Sequence, residues 1–213
     1  MIESILPDCV VVESISELAS SDSLLQQEAE FIRKAVPKRV IEFTAGRHCA
    51  RRALARLGIA NFPILSGIRR EPIWPVGTVG SITHCSGFAC AAVALNTDMV
   101  AIGIDAEVAG PLSPGLIESI ASRAERQALL AFSDDVPWER VIFCAKEAFY
   151  KAWYPVTRSW LEFHDVDVTF RPEQGTFEVQ IKIPHPQMFR SHVGRFLVAN
   201  GIIFTAVHLG AGR

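Results

Sequence analysis

The chain lacks most of the features that would place it at a glance. Its longest uninterrupted apolar run, Phe88 to Leu95, is far short of the roughly 20 residues that a membrane-spanning helix needs. No GxGxxG motif follows the first strand-like run and no P-loop occurs, which disfavours Rossmann-type dinucleotide binding and P-loop nucleotide hydrolysis. Neither sign of charge prevails: 21 Lys and Arg stand against 23 Asp and Glu, a net of −2. Nucleic acid is therefore not the expected partner, and any basic site must be local. Cysteine is scarce, odd in number and without the paired spacing of zinc sites (Cys9, Cys49, Cys85, Cys90, Cys144). Such residues read as small buried side chains of a reducing compartment. Met1-Ile2-Glu3-Ser4 has no basic segment leading into an apolar one, so no secretory leader is expected. Together these absences predict a cytoplasmic protein that works off the membrane.

What remains is an ordinary globular chain of 213 residues, 49% hydrophobic and 21% charged, enough for one large domain or two small ones. Cys9 to Glu13 reads as a short strand. Ser21-Asp22 can cap a helix through Val36, and Pro37 can open a second helix that stops at Gly58. Gly67 to Gly77 reads as an irregular loop. A three-strand meander is expected over Gly80–Cys85, Phe88–Leu95 and Met99–Glu107, with turns at Ser86-Gly87 and Asn96-Thr97-Asp98. Ser122-Arg123-Ala124-Glu125 has the form of a capping box, and Pro137 can open a helix through Trp153 that Pro155 stops. The last third is β-type: Val166–Phe170, Phe177–Ile183, and two runs joined by Asn200-Gly201, the strongest short hairpin motif. Helix followed by antiparallel strands thus occurs twice, over roughly 37–107 and 137–209. The order suggests two α+β halves with a cleft between them.

Chemistry concentrates in two segments. In Ile102-Gly103-Ile104-Asp105-Ala106-Glu107 the alternation of a strand puts Asp105 and Glu107 on one face and the isoleucines on the other. Two carboxylates about 7 Å apart repel by roughly 2–3 kcal/mol at an effective dielectric near 20. Such a pair persists cheaply in open water or around a cation. The apolar flanks make full exposure the poorer explanation, and Glu147 can supply a third acid from the second half. Glu147 and Lys151 stand four apart on a helix, which suits either a solvated ion pair or, among Phe143, Ala148, Phe149 and Trp153, a partnered site. Lys38, Arg39, Arg47, Arg51, Arg52 and Arg56 spread over more than one face of the helix after Pro37. Most read as solvated surface, while one or two can take a phosphate if they face the cleft. Arg69 and Arg70 add local positive charge. A lone His84 is read as structural or as a ligand, with Ser81 and Thr83 supplying hydroxyls beside it. Magnesium binds through few carboxylates and completes its shell with water and substrate phosphate oxygens. The set suits attack on a pyrophosphate.

The chain resembles the longer, monomeric 4′-phosphopantetheinyl transferases of the surfactin- and enterobactin-synthetase type. The likeness rests on Phe43-Thr44-Ala45-Gly46-Arg47-His48-Cys49-Ala50-Arg51, Glu71-Pro72-Ile73-Trp74-Pro75, Gly80-Ser81-Ile82-Thr83-His84, Gly103-Ile104-Asp105-Ala106-Glu107 and Phe143-Cys144-Ala145-Lys146-Glu147-Ala148-Phe149-Tyr150-Lys151, in that order. It implies an α+β pseudo-dimer of similar halves, 1–108 and 109–213. Each half has a long helix and a three-stranded antiparallel meander, and the active site lies in the cleft between them. It implies transfer of phosphopantetheine from coenzyme A to a serine of an apo acyl or peptidyl carrier protein, with release of adenosine 3′,5′-bisphosphate. By matched position, Asp105, Glu107 and Glu147 hold magnesium. Arg39, Arg47, Arg70 and His84 contact coenzyme A, as do Ser81, Thr83 and Asp105. Lys146 and Lys151 steady the pyrophosphate. Glu147, alone or through a bound water, is the expected base, and Lys151 offsets charge on the departing group. Leu112, Leu116 and Trp160 are candidates for carrier docking. A metal-dependent pyrophosphate hydrolase and a silent coenzyme A or carrier-binding module are the alternatives.

Overall fold

The computed structural model describes residues 1–16, 24–190 and 192–212. In chain order the regular elements are β1 (Val11–Ile15), α1 (Gln26–Ile32), α2 (Pro37–Arg56), β2 (Leu65–Ser66), β3 (Pro72–Ile73), β4 (Thr78–Cys85), β5 (Phe88–Leu95), β6 (Met99–Val108), α3 (Ile117–Ile120), α4 (Arg123–Leu129), α5 (Trp138–Thr157), β7 (Val166–Arg171), β8 (Thr176–Ile181), β9 (His192–Ala199) and β10 (Ile202–Gly210). It is a mixed fold of helices on antiparallel sheets. One sheet has the order β1-β5-β4, a second β6-β10-β9-β8-β7, and β2 and β3 form a small hairpin.

Helix α2 starts with Pro37 at its first position and ends before Gly58, which sits at φ +83°, the left-handed geometry that glycine tolerates at a helix end. The expected first helix is shorter than its sequence suggests. It closes at Ile32 because Val36, held extended by the following proline, needs a turn to reach it. Its expected cap, Ser21-Asp22, lies outside the described residues. At α5 the sequence misleads in the other direction. Pro155 does not stop the helix, which runs to Thr157, because a proline one turn from the end forfeits a single backbone bond. Arg158 then turns left-handed at φ 55° and donates its N–H to Tyr154 O. The Asn200-Gly201 turn is as expected, with φ values of 52° and 72° and Ile202 opposite Ala199. The loop read over Gly67–Gly77 carries β3 and the turn of the small hairpin.

The three-strand meander of the first half does not form. β5 is the central strand of its sheet, flanked by β1 and β4, so neither of its edges is free for β6. β6 crosses instead to the second sheet and pairs antiparallel with β10, from Ile202↔Val108 onward. It nevertheless lies beside β4, and two hydroxyls close the seam where a ladder would have run. Ile104 N donates to Ser81 Oγ at 3.1 Å, and Ala106 N donates to Thr83 Oγ1 at 2.9 Å. The strand is thereby buried on both faces. Ile102, Ile104 and Ala106 join a core with Phe88 and Phe204, while the other face meets α5. Phe149 and Trp153 of α5 anchor the second core with Phe177 and Phe189.

Gly103 sets the distance between β6 and α5. A Cβ there would stand 1.9 Å from Ala148 O and 2.6 Å from Ala152 N, so the strand packs on bare helix backbone. Gly103→Ala is expected to cost at least the 1–3 kcal/mol typical of overpacking, because backbone cannot rotate aside, or roughly that in thermal denaturation. It should also lower turnover by moving Glu147 and Lys151 away from Asp105. A variant as stable as wild type would show that α5 has room to shift.

Candidate active site

β6 presents Gly103, Asp105 and Glu107 on the face that α5 covers, two residues apart as strand alternation dictates. α5 answers with one stripe: Arg140, Glu147 and Lys151 recur at seven and four residues, close to whole helical turns. Lys151 Nζ reaches Asp105 Oδ1 at 2.6 Å and Ile104 O at 3.2 Å. Arg140 Nη1 stands 3.4 Å from Glu107 Oε2 and donates through Nη2 to Pro111 O at 2.6 Å. Glu147 lines the adjoining cleft with Lys151 and Tyr150.

The electrostatics show acids crowded together. Burial raises the Glu107 pKa and the Asp105 charge raises it further, against Arg140. Burial likewise raises that of Glu147, where Asp105 and Glu107 work against Lys151. Burial would lower Lys151, but Asp105 and Glu147 outweigh it and push its pKa up. Asp105 Oδ2 is buried with no hydrogen-bond partner. Among the described residues, however, no three of His, Cys, Asp and Glu are gathered as a finished metal cluster. The three acids are near enough to shift one another's titration but are not assembled as a ligand set. Lys151 takes one Asp105 oxygen and Arg140 faces Glu107.

Beside Glu147 and Lys151 a cleft of about 370 Å³ opens between α5 on one side and α2 with β4 on the other. Arg39, Arg47, Arg70 and His84 all line it. Arg39 Nη1 lies 3.0 Å from His84 Nε2, so the imidazole accepts there and carries its proton on Nδ1, towards Glu42 at 3.8 Å. Burial, with Arg39 and Lys151, lowers the His84 pKa and keeps the ring neutral. Arg47 is held by Ile64 O at 2.7 Å and Ser66 Oγ at 2.9 Å, with its guanidinium over the Phe43 ring, and burial pulls its pKa down to about 10.

Three of the residues matched by resemblance are placed differently. Ser81 borders the cleft, yet its hydroxyl is committed to β6 backbone, and Thr83 is buried in the seam outside the cleft lining. Lys146 is turned into the second lobe, where Nζ meets Ile120 O, Glu125 Oε2 and Phe163 O at 2.9 Å each and Val166 O at 3.0 Å. Residues five apart on a helix differ by about 140°, so Lys146 and Lys151 cannot share one face. Of the docking candidates, Leu112 is core, while Leu116 and Trp160 are exposed.

Sequence reasoning missed several contributors. Arg140 was legible as the residue two turns before Glu147. Tyr150, whose hydroxyl is buried without a partner, and Glu42 carried no periodic mark. The bridge between Arg158 and Glu71, at 2.8 Å, ties the lobes together, with Arg69 stacked 4.8 Å over Trp160. Trp74 explains its motif: its indole donates to Gly80 O at 2.9 Å and packs where a Gly80 side chain would stand.

A cleft with guanidinium groups on one wall and Glu147 beside Lys151 on the other suits an enzyme acting on a phosphorylated substrate. Two family models match the chain, the 4′-phosphopantetheinyl transferase N-terminal domain over residues 27–94 and the 4′-phosphopantetheinyl transferase superfamily over residues 101–206. It is 40% identical to 4′-phosphopantetheinyl transferase Svp of Streptomyces mobaraensis, over 99% of this chain and 90% of the relative. It is 42% identical to 4′-phosphopantetheinyl transferase Npt of Nocardia iowensis, over 97% and 99%. With 4′-phosphopantetheinyl transferase PptT of Mycobacterium tuberculosis it shares 38%, over 98% of each. The chain belongs to the 4′-phosphopantetheinyl transferase family. It is an enzyme that moves phosphopantetheine from coenzyme A to a serine of a carrier protein. No helix among the described residues is long and apolar enough to cross a membrane.

Proposed function

We propose that the chain performs this transfer with a divalent cation, magnesium, held by Asp105, Glu107 and Glu147. The observation that supports the reading is the orphaned Asp105 Oδ2, buried beside two acids whose pKa values burial and neighbouring negative charge raise. An all-oxygen donor set of few carboxylates fits a hard ion. When bound, such an ion offsets the charge of the pyrophosphate oxygens. The chain's own groups do the rest. Arg39, Arg47, Arg70 and the neutral His84 seat the nucleotide end of coenzyme A, its 3′-phosphate included. Glu147 takes the proton of the carrier serine as Oγ bonds to the β-phosphorus. The bond from that phosphorus to the bridging oxygen breaks, and adenosine 3′,5′-bisphosphate departs with Lys151 offsetting its charge. Lys146 we assign to the architecture of the second lobe instead of to coenzyme A.

Both walls of the cleft come from one chain, which supports action as a monomer built of halves 1–108 and 109–213, with β6 lent to the second sheet. Each half contributes a 20-residue helix packed on antiparallel strands. The five cysteines, odd in number and without paired spacing, support a cytoplasmic setting, and exposed Leu116 and Trp160 are the remaining docking candidates for acyl or peptidyl carriers. Purified protein stripped by chelation should no longer add one phosphopantetheine mass to an apo-carrier, and magnesium should restore the reaction. Full activity after stripping would remove the cation from the reaction. Consumption of coenzyme A without carrier would favour hydrolysis instead.

A further inference from the structure

The two oxygens of Asp105 are in unlike circumstances. Oδ1 accepts from Lys151 Nζ at 2.6 Å and from the Thr83 hydroxyl at 3.2 Å. Oδ2 has no hydrogen bond of normal geometry, although the residue is only 5% exposed and the buried Cys144 thiol lies against the carboxylate. Thr83 is itself 2% exposed and lies outside the cleft lining, whereas its neighbours Ile82 and His84 border the cleft. Its oxygen already accepts Ala106 N at 2.9 Å. A hydroxyl has one proton, and with its acceptor side fixed by β6 backbone that proton is aimed at Oδ1.

We propose that Thr83 is a positioning residue: clamped by the β6 backbone, its hydroxyl fixes the rotation of the Asp105 carboxylate so that Oδ1 is filled and Oδ2 is presented to the cation. The proposal rests on the divalent-cation reading of Asp105, Glu107 and Glu147. The terminal torsion of an aspartate is broad and roughly two-fold, so a carboxylate held by one partner can exchange its oxygens. Lys151 alone cannot prevent this, because an ammonium on a four-carbon stem follows whichever oxygen is offered. Thr83 is rigid where Lys151 is mobile: it is β-branched, buried and tied to the same strand as the acid. Ser81 provides an internal contrast. Its oxygen accepts the equivalent bond from Ile104 N at 3.1 Å, a bond to β6 backbone and not to an acid.

The test is Mn²⁺ binding to chelator-stripped protein, read as loss of the free-ion electron paramagnetic resonance signal. Thr83→Val should weaken Mn²⁺ by about tenfold or more, the usual effect of losing a group that orients a metal ligand, and Thr83→Ser should restore it. In turnover, Thr83→Val should lower kcat with KM for coenzyme A unchanged. Ser81→Ala should lower the melting temperature through the lost seam bond while keeping wild-type Mn²⁺ affinity. Wild-type affinity in Thr83→Val overturns the proposal, and so does equal weakening by Ser81→Ala, which would reduce the effect to seam stability. If circular dichroism shows Thr83→Val unfolded, Thr83→Cys, with its weaker donor, is read in its place. Asp105→Ala separates the two failures. If it binds Mn²⁺ like wild type, the cation reading itself falls; if it loses Mn²⁺ while Thr83→Val does not, Thr83 alone is acquitted.

Discussion

Glu147→Gln is expected to abolish carrier modification while leaving the fold intact, with a fall in kcat on the order of 10²–10⁴-fold, the usual contribution of a general base. The substitution keeps the length and shape of the side chain, so the packing of α5 on β6 and β10 should not change. It removes a negative charge that burial, Asp105 and Glu107 already disfavour, so stability should hold or rise slightly. Lys151 loses one of the two acids that raise its pKa but keeps Asp105 at 2.6 Å. Coenzyme A should still bind, because the guanidinium wall is untouched. The measurement is the mass of an apo-carrier after incubation, beside the melting temperature of the variant. Turnover within a factor of a few of wild type, in a folded variant, would take Glu147 out of the proton transfer and leave the base to be found elsewhere along the cleft.

Much of this site was legible from spacing. The period of two in Ile102–Glu107 set Asp105 and Glu107 on one face, and the period near 3.6 in α5 set Glu147 above Lys151. The helix opened by Pro37, the capping box at Ser122 and the Asn200-Gly201 hairpin were equally plain, because each rests on bonds between near neighbours in sequence. Strand partnership was not. Local pattern marks β6 as a strand, but which edge it finds depends on β1 having already taken the far side of β5, a contact between residues eighty apart. The same blindness misplaced hydroxyls. Ser81 and Thr83 look like phosphate contacts in sequence, whereas the seam with β6 claims both. Residues such as Glu42 and Arg158 act through partners 42 and 87 positions away, and no periodicity announces them.

Lys146→Met carries the largest expected loss of stability, and it follows from the least obvious feature of the second lobe. Lys146 is followed directly by Glu147, yet its ammonium lies at 1% side-chain exposure among oxygens from α3, α4 and the approach to β7. Its charged partner is Glu125, which also closes the capping box on Ser122 N at 2.7 Å and accepts Val168 N at 2.7 Å. One buried ion pair therefore fixes the start of α4, the first residues of β7 and the middle of α5. Methionine matches the stem but not the charge, leaving a buried carboxylate and three carbonyls without their cation. Breaking such a pair from one side costs about 3–5 kcal/mol, where replacing both partners can be nearly neutral. For a chain of this size that is a drop in melting temperature of roughly 10 °C. Lys146→Arg should recover little, since a planar fork cannot reproduce four contacts converging on one nitrogen. The pair also bears on function, because α5 carries Glu147 and Lys151 and is pinned to the lobe one residue before the acid. Thermal denaturation of the variant, with coenzyme A affinity measured below the transition, decides between roles. A variant as stable as wild type that fails to bind coenzyme A would return Lys146 to the cleft; an unstable one that still binds it keeps the residue in the framework.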